Sequence, residues 1–478
     1  MKLSQILNGI PVKNQYTDAE VREVTADSRL VKEGTLFICV KGAVFDGHTV
    51  AAEMLEKGAV AVVCERDLGL PQQILVEDSR AALSPICANF FGNPAKQLKL
   101  IGLTGTNGKT TTSFLIKQIL ENCGKKVGLI GTVQNMVGDE IYPAHYTTPD
   151  PHELQQLFRK MADAGCEYCV MEVSSQALAQ GRVNGVHFTV AAFTNLTQDH
   201  LDYHKTWENY FAAKRLLFTQ CETAVTNVDD PYGLEIVKDL PCRVVTYAVN
   251  NLQSDYTARN VNFATDGVKY ELVCDRIGRV YCPIPGRFSV YNSLCAATVA
   301  LALGLDFAEV VLSIAQCSGV KGRIEVVPTD TDYTVIIDYA HSPDGLENII
   351  SSLREIANGR IVTLFGCGGD RDKTKRPLMG EIAARLSDFC VVTSDNPRSE
   401  APDAIIEDIL AGMHGTKTPY KVVVNRREAI RWAMENAQKN DILLLAGKGH
   451  ETYQILPTET IHFDEREVVA EVLEELKK

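Results

Sequence analysis

No apolar run in this 478-residue chain approaches the ~20 residues needed to cross a bilayer. A helical membrane protein is therefore not expected, and the opening stretch MKLSQILNGIPVKNQ has too short and too interrupted an apolar segment for a secretory signal. The expected location is the cytoplasm, with no membrane partner. Positive charge is also in deficit: 48 Lys and Arg against 61 Asp and Glu leave a net charge of -13. Affinity for phosphate backbones comes mainly from clustered cations, so no nucleic-acid partner is expected and a polyanionic ligand must find a local basic pocket. The 14 cysteines are read as scattered singly, without the paired spacing of a zinc site or a disulfide framework, most of them as small buried apolar side chains.

With 45% apolar and 23% charged residues the composition is that of an ordinary globular protein, and the length suits three domains of about 150 residues each. Residues 1–95 alternate short β-branched stretches with helical ones: GTLFICV (34–40), a helix near 49–57, then VAVVCE (60–65). The turn cluster Gly92-Asn93-Pro94 marks a linker. From Leu98 a strand (KLIGLT), a glycine-containing loop, a helix (TSFLIKQILENC) and a strand (KVGLIGT) begin a parallel βαβ unit. Strands YCVMEV, VAAFTN and AVTNV, a β-rich section over 243–284 and the helix YNSLCAATVALALGL complete it near residue 320. Four further strands, YTVIIDY, RIVTLFG, FCVVTSD and DILLLAG, each run into a polar or glycine-containing loop. In a doubly wound sheet, ligands bind outside the carboxyl ends of the strands, so these four loops should line one cleft. The expected fold is α/β in three domains: a small N-terminal α/β domain (1–95), a central P-loop NTPase-like parallel-sheet domain (96–320) and a C-terminal Rossmann-like doubly wound domain (321–478).

LTGTNGKTTT stands between an expected strand and an expected helix, the setting that gives a phosphate loop its meaning. Gly105 and Gly108 permit the tight turn, so the backbone amides of Gly105, Thr106, Asn107, Gly108, Lys109, Thr110 and Thr111 can wrap ATP phosphates at the helix N-terminus. Lys109 adds a point charge, and the Thr110 hydroxyl can reach Mg²⁺. The first glycine of the full G-x-x-x-x-G-K-[ST] pattern is replaced by Leu103. The loop alone does not choose among ATPase, kinase, GTPase and ligase, although no DxxG or NKxD arrangement favours a GTPase.

Seven segments decide further: GTNGKTT, TTPDP (147–151), MEVSS (171–175), TNLTQDHLDYH (194–204), YFAAKRLLF (210–218), YNSLCA (291–296) and DYAHSPDG (338–345). In order and spacing they resemble the Mur ligase family. GCGGDRDKTKRPLM (366–379), DNPR (395–398) and GKGHE (447–451) narrow the resemblance to the UDP-N-acetylmuramoyl-tripeptide synthetases of that family. The resemblance implies an ATP-dependent ligase that joins an amino acid to the D-Glu carboxylate of UDP-N-acetylmuramoyl-L-Ala-D-Glu in peptidoglycan precursor synthesis. ATP activates the carboxylate as an acyl phosphate, and cations must offset the gathered negative charge.

Two Mg²⁺ are implied, with Thr110, Glu172, His200 and Lys214 as their protein ligands and Lys109, Lys214, Glu172 and His200 as the catalytic set. Lys214 can ligate only if CO₂ converts it to N6-carboxylysine, which requires a neutral amine and hence a site that lowers its pKa. Also carried over from the family are Asn292 for adenine, Arg323 for the γ-phosphate, Asp338 for the ribose and His341 beside the nucleotide. For the sugar-peptide they are Ser28 at the uridine and Thr147, Thr148, Ser174, Gln180 and Arg182. Residues 43–45, which contact uridine in relatives, share no identity with them and leave that part of the pocket open.

The turn Asp395-Asn396-Pro397-Arg398 bears on the added amino acid. Pro397 stiffens it, and Arg398 projects a guanidinium fork suited to a carboxylate. meso-Diaminopimelate has a distal carboxylate that L-lysine lacks. Arg371 should supply a second carboxylate contact, Glu451 an acceptor for the distal ammonium, and Gly447 room for close backbone approach. The expected partners are therefore the dipeptide precursor, meso-diaminopimelate and ATP, on a monomer. The alternatives are an L-lysine-adding relative, a folylpolyglutamate-type ligase, or a nucleotide-binding regulator without ligase activity.

Overall fold

Several stretches in the middle of the chain, from KLIGLT to AVTNV, are apolar on both faces, the pattern of parallel strands covered by helices on two sides. The computed structural model describes residues 1–42, 45–197, 199–264 and 266–476. Ala43 and Val44, from the open part of the uridine pocket, lie outside the described residues, as does Gln198 of the TNLTQDHLDYH segment.

The chain divides into two compact units, Met1–Tyr256 with Cys295–Ser313, and Thr257–Leu294 with Ile314–Lys478. The first unit holds two sheets. The smaller is parallel, in the order Glu23–Thr25, Thr35–Ile38, Ala59–Cys64, Gln73–Leu75. The larger runs Arg243–Ala248, Cys221–Asn227, Phe188–Phe193, Lys99–Thr104, Tyr168–Glu172, Val127–Ile130, all parallel. An antiparallel edge of Asn135–Val137 and Glu140–Tyr142 follows. Lys99–Thr104 lies at the centre, so the loop that follows it opens between the ends of Tyr168–Glu172 and Phe188–Phe193. The helix expected from residue 112 begins at Lys109, because Gly108 at φ +85° turns the chain directly into its first turn.

The second unit contains an antiparallel meander, Tyr256–Ala264, Gly267–Val273 and Ile277–Cys282, and a six-stranded sheet. The sheet order is Glu325–Val327, Thr334–Asp338, Ile442–Ala446, Ile361–Phe365, Phe389–Val392, Tyr420–Val422, parallel except for the first strand. The four expected strands are its middle. Both edge strands are three residues long and lack an apolar run, which is why the hydrophobic pattern did not announce them. Ile336 and Leu444 face one apolar core and Val335, Ile337, Leu443 and Leu445 the other, the two-faced burial of a doubly wound sheet. Helices Pro343–Arg354 and Pro402–Met413 both open on proline, whose missing N–H costs nothing in a first turn.

The cysteines are not all single, since Cys166 and Cys169 stand at C-x-x-C spacing; both are free thiols whose pKa is raised by burial, Cys169 inside the central sheet. No helix among the described residues is long and apolar enough to cross a membrane.

Candidate active site

The phosphate loop is shaped by what lies behind it. Gly105, at φ +154°, leaves no room for a side chain: a Cβ there would fall 1.9 Å from Thr194 Oγ1. Thr194 Oγ1 and Asn195 Nδ2 donate to the Asn107 carbonyl at 2.7 and 3.1 Å, and Asn107 N donates to Asn195 Oδ1 at 2.9 Å. The Thr106 hydroxyl meets Tyr210 Oη at 3.0 Å. The loop is thus fixed by the strand beside it. Gly105→Ala should cost about 1–3 kcal/mol of stability through overpacking, and a nucleotide-induced rise in melting temperature should disappear with it; an unchanged rise would contradict this account of the loop.

Lys109 Nζ folds back to donate to the Gly105 and Thr106 carbonyls, both at 2.8 Å. Lys214 Nζ donates to the same Gly105 carbonyl at 2.8 Å. Two ammonium groups therefore crowd one oxygen. Lys214 is 2% exposed, with its Nζ 4.5 Å from the centre of the Tyr210 ring. Burial first and the Lys109 charge second push the Lys214 amine well below the ordinary lysine value, with Asp199 pulling it back. The His200 ring centre lies 6.2 Å from that of Tyr210, and its Nε2 lies 3.4 Å from Asp199 Oδ2.

Glu172, at the end of the strand Tyr168–Glu172, is fully buried. Thr110 Oγ1 donates to its Oε2 at 2.9 Å. Thr132 N donates to Oε1 at 2.9 Å, and Thr132 Oγ1 donates to Oε2 at 3.0 Å. A Cβ on Gly131 would stand 2.4 Å from Oε1, so that glycine makes space for the carboxylate. Glu172 and Lys214 are both tied to the phosphate loop, through Thr110 and Gly105.

Of the residues expected at the sugar-peptide, Thr148 and Ser174 sit beside Glu172, and Arg182 and Gln180 join them through the Thr148 carbonyl. Thr148 Oγ1 donates to the Glu172 carbonyl at 2.9 Å and accepts from Ser174 N at 3.0 Å. Arg182 donates to the Thr148 carbonyl at 2.7 Å and to Gln180 Oε1 at 3.0 Å, and stacks 5.0 Å from the Tyr146 ring centre. Ser28 occupies the turn between Asp27 and Arg29, whose side chains pair at 2.6 Å. Arg29 is raised by Asp27 above all, with Tyr146 contributing.

In the second unit, Asp338 ends its strand and accepts from Ile324 N at 2.8 Å and Ala340 N at 2.9 Å. Burial raises its carboxyl against the opposing pull of Arg323. The Arg323 guanidinium lies 4.8 Å from the Tyr339 ring centre, and the rings of His341 and His450 stand 4.5 and 4.8 Å from the same ring. Burial lowers the His450 imidazole to about 4, so it is neutral at pH 7. Asn292 is buried on the helix Arg287–Ala302, away from the residues of this cluster in sequence.

The DNPR turn meets the two loops expected beside it. Arg398, at φ +53°, donates through Nη1 to the Gly369 carbonyl at 2.9 Å. A Cβ on Gly368 would lie 2.9 Å from Arg398 Nη1 and 3.8 Å from Arg371 Cγ, so the two arginines flank that glycine. Asn396 Nδ2 donates to Glu451 Oε2 at 2.9 Å. A Cβ on Gly447 would come within 2.8 Å of Asp395 Oδ2, a buried oxygen with no hydrogen-bond partner.

Sequence reasoning missed Thr132, Tyr210 and Lys448. Lys448 is fully buried and donates to Glu451 Oε2 at 2.9 Å and Asn396 Oδ1 at 3.2 Å. Lys448 lies inside GKGHE and Tyr210 opens YFAAKRLLF, so a signal was available for both; Thr132 ends the quoted strand KVGLIGT, which gave its place in the fold but no role. Removing one member of a buried pair costs about 3–5 kcal/mol. Lys448→Met should therefore lower stability by roughly that amount in chemical denaturation, and a loss below about 1 kcal/mol would mean that the pair is solvated.

Three family descriptions match this chain in sequence: "Mur ligase family, catalytic domain" over residues 20–90, "Mur ligase middle domain" over 103–300, and "Mur ligase, glutamate ligase domain" over 322–449. The chain is 47% identical over 484 residues to the UDP-N-acetylmuramoyl-L-alanyl-D-glutamate--2,6-diaminopimelate ligase of Caldanaerobacter subterraneus subsp. tengcongensis, covering 100% of both. It is 46% identical over 466 residues to the enzyme of that name from Clostridium botulinum, covering 96% of each. A solved structure of a UDP-N-acetylmuramoyl-L-alanyl-D-glutamate--2,6-diaminopimelate ligase superposes with a TM-score of 0.74 at 31% identity, over 100% of this chain and 99% of that one.

Proposed function

The chain belongs to the Mur ligase family, and from that premise we propose that it is the ATP-dependent ligase that adds meso-2,6-diaminopimelate to UDP-N-acetylmuramoyl-L-Ala-D-Glu in peptidoglycan precursor synthesis. A carboxylate oxygen of D-Glu attacks the γ-phosphorus of ATP and ADP departs. The amine of diaminopimelate then attacks the acyl carbon, phosphate leaves, and the amide nitrogen loses a proton. The observation that carries this reading is the joint attachment of Glu172 and Lys214 to the phosphate loop, which supports carboxylate activation beside the γ-phosphate.

The phosphate loop holds the β- and γ-phosphates, with Lys109 screening their charge. Asn292 takes the adenine, Arg323 the γ-phosphate and Asp338 the ribose hydroxyls, with His341 adjacent. Ser28, Thr147, Thr148, Ser174, Gln180 and Arg182 bind the sugar-peptide. Arg371, the DNPR turn, Gly447 and Glu451 bind diaminopimelate.

No group of three or more His, Cys, Asp or Glu suited to a metal occurs among the described residues. The donor set fits Mg²⁺ without such a group: the Thr110 hydroxyl, the Glu172 carboxylate, His200, and Lys214 once carbamylated. When bound, two Mg²⁺ would neutralise charge on the transferring phosphoryl group. The low-pKa amine of Lys214 fits the carbamate reaction, in which the neutral amine adds to CO₂ and releases a proton.

Domains at 1–95, 96–320 and 321–478 divide these tasks. The protein works as a monomer in the cytoplasm, where ATP and its nucleotide-sugar substrate are found. ADP release should require the dipeptide precursor and diaminopimelate together. Release independent of the precursor would instead indicate a plain nucleotidase or regulator.

A further inference from the structure

Thr132 follows the strand Val127–Ile130 and belongs to none of the assigned sets. Its N–H and its hydroxyl both donate to Glu172, one to each carboxylate oxygen. Its Oγ1 also lies 3.0 Å from Thr147 Oγ1. A hydroxyl carries one proton, and an ionised carboxylate can only accept. The Thr132 proton is therefore committed to Glu172, and Thr147 must be the donor in the threonine pair. The order of protons is fixed: Thr147 to Thr132 to Glu172.

We propose that Thr132 is a positioning residue that couples occupation of the sugar-peptide site to the cation affinity of the Glu172 site. This rests on the roles given to Thr147 and Glu172 above. Donation from Thr147 polarises the Thr132 hydroxyl and strengthens its bond to the carboxylate, as chained hydrogen bonds do. A phosphate or carboxylate oxygen of the bound precursor competes for the single Thr147 proton. Once Thr147 turns to the substrate, the Thr132 hydroxyl holds Glu172 less tightly, and more of the carboxylate charge is free for a cation. Precursor binding therefore raises Mg²⁺ affinity, and by linkage Mg²⁺ raises precursor affinity by the same factor. The other partners of Glu172 are fixed, because Thr132 N holds one oxygen and Thr110 shares the other.

The test is a calorimetric titration of Mg²⁺ into protein with ADP, with and without UDP-N-acetylmuramoyl-L-Ala-D-Glu. No turnover is involved. For the wild type the precursor should lower the Mg²⁺ midpoint about five-fold, the lower end of usual coupling. Thr132→Ser, which keeps the hydroxyl, should retain that shift. Thr132→Val, of matching shape, should lose it, with Thr132→Ala as the second variant if valine lowers the melting temperature. A wild-type midpoint that ignores the precursor, or a Thr132→Val protein that keeps the full shift, overturns the proposal. A wild type that binds no Mg²⁺ with ADP at all would count against the assigned function instead, so the two failures are distinguishable.

Discussion

Lys214→Ala should lose amide-forming activity by on the order of 10²–10³-fold in kcat, the scale for removing one preorganised charge at a reacting phosphoryl or acyl centre. Acetate or propionate added at high concentration should restore part of it. The reasoning begins with burial: an ammonium 2% exposed, beside a second ammonium on the same carbonyl, is held in an unfavourable protonation state. Neutral amine is the form that takes up CO₂, and the resulting carboxylate would turn a repelled cation into a metal ligand. Alanine leaves a gap where that carboxylate would stand, and a small carboxylate can enter it. Lys214→Arg, always charged and unable to form the carbamate, should be as inactive as alanine and should not be rescued. Full activity of Lys214→Ala, or rescue by neutral acetamide as strong as by acetate, would remove the carbamate from the account.

Arg398→Ala should raise KM for diaminopimelate on the order of 10²-fold while leaving the much weaker use of L-lysine nearly unchanged. Truncating one partner of a desolvated charge pair costs about 2–5 kcal/mol, largely as the penalty on the ion left behind. The ion here would be the distal carboxylate, which L-lysine lacks, so preference between the two amino acids should collapse. Arg398 is also one of the few non-glycine residues with a left-handed backbone, at φ +53°. Arg398→Gly separates the two contributions, since glycine adopts that conformation freely and removes the guanidinium. Equal losses for alanine and glycine would assign the effect to the side chain; retained activity in the glycine variant would assign it to the turn.

Much of the fold was legible because its parallel strands are short, doubly buried apolar runs that end in loops with distinctive residues. Tyr168–Glu172 and Phe188–Phe193 are found within two residues of the expected segments. The strands Gln73–Leu75, Glu325–Val327 and Tyr420–Val422 were not, since three-residue edge strands carry too few residues for a period. Lys214 illustrates the limit for the site. In sequence it is one of two adjacent cations at the end of the helix Trp207–Arg215, and only the tertiary fold buries it while leaving Arg215 partly exposed. Thr132 was invisible for a different reason: its role comes from where its hydroxyl proton goes, and no spacing records that. Lys448 shows the converse, because its segment was noticed but its burial against Glu451 needed coordinates.

The most direct measurement is mass spectrometry of the product formed from UDP-N-acetylmuramoyl-L-Ala-D-Glu, ATP and an equimolar mixture of meso-diaminopimelate and L-lysine. The account predicts a nucleotide-tripeptide whose mass is that of the precursor plus diaminopimelate less one water, with ADP released in equal amount. A product carrying L-lysine, or ADP released without any tripeptide, would contradict it.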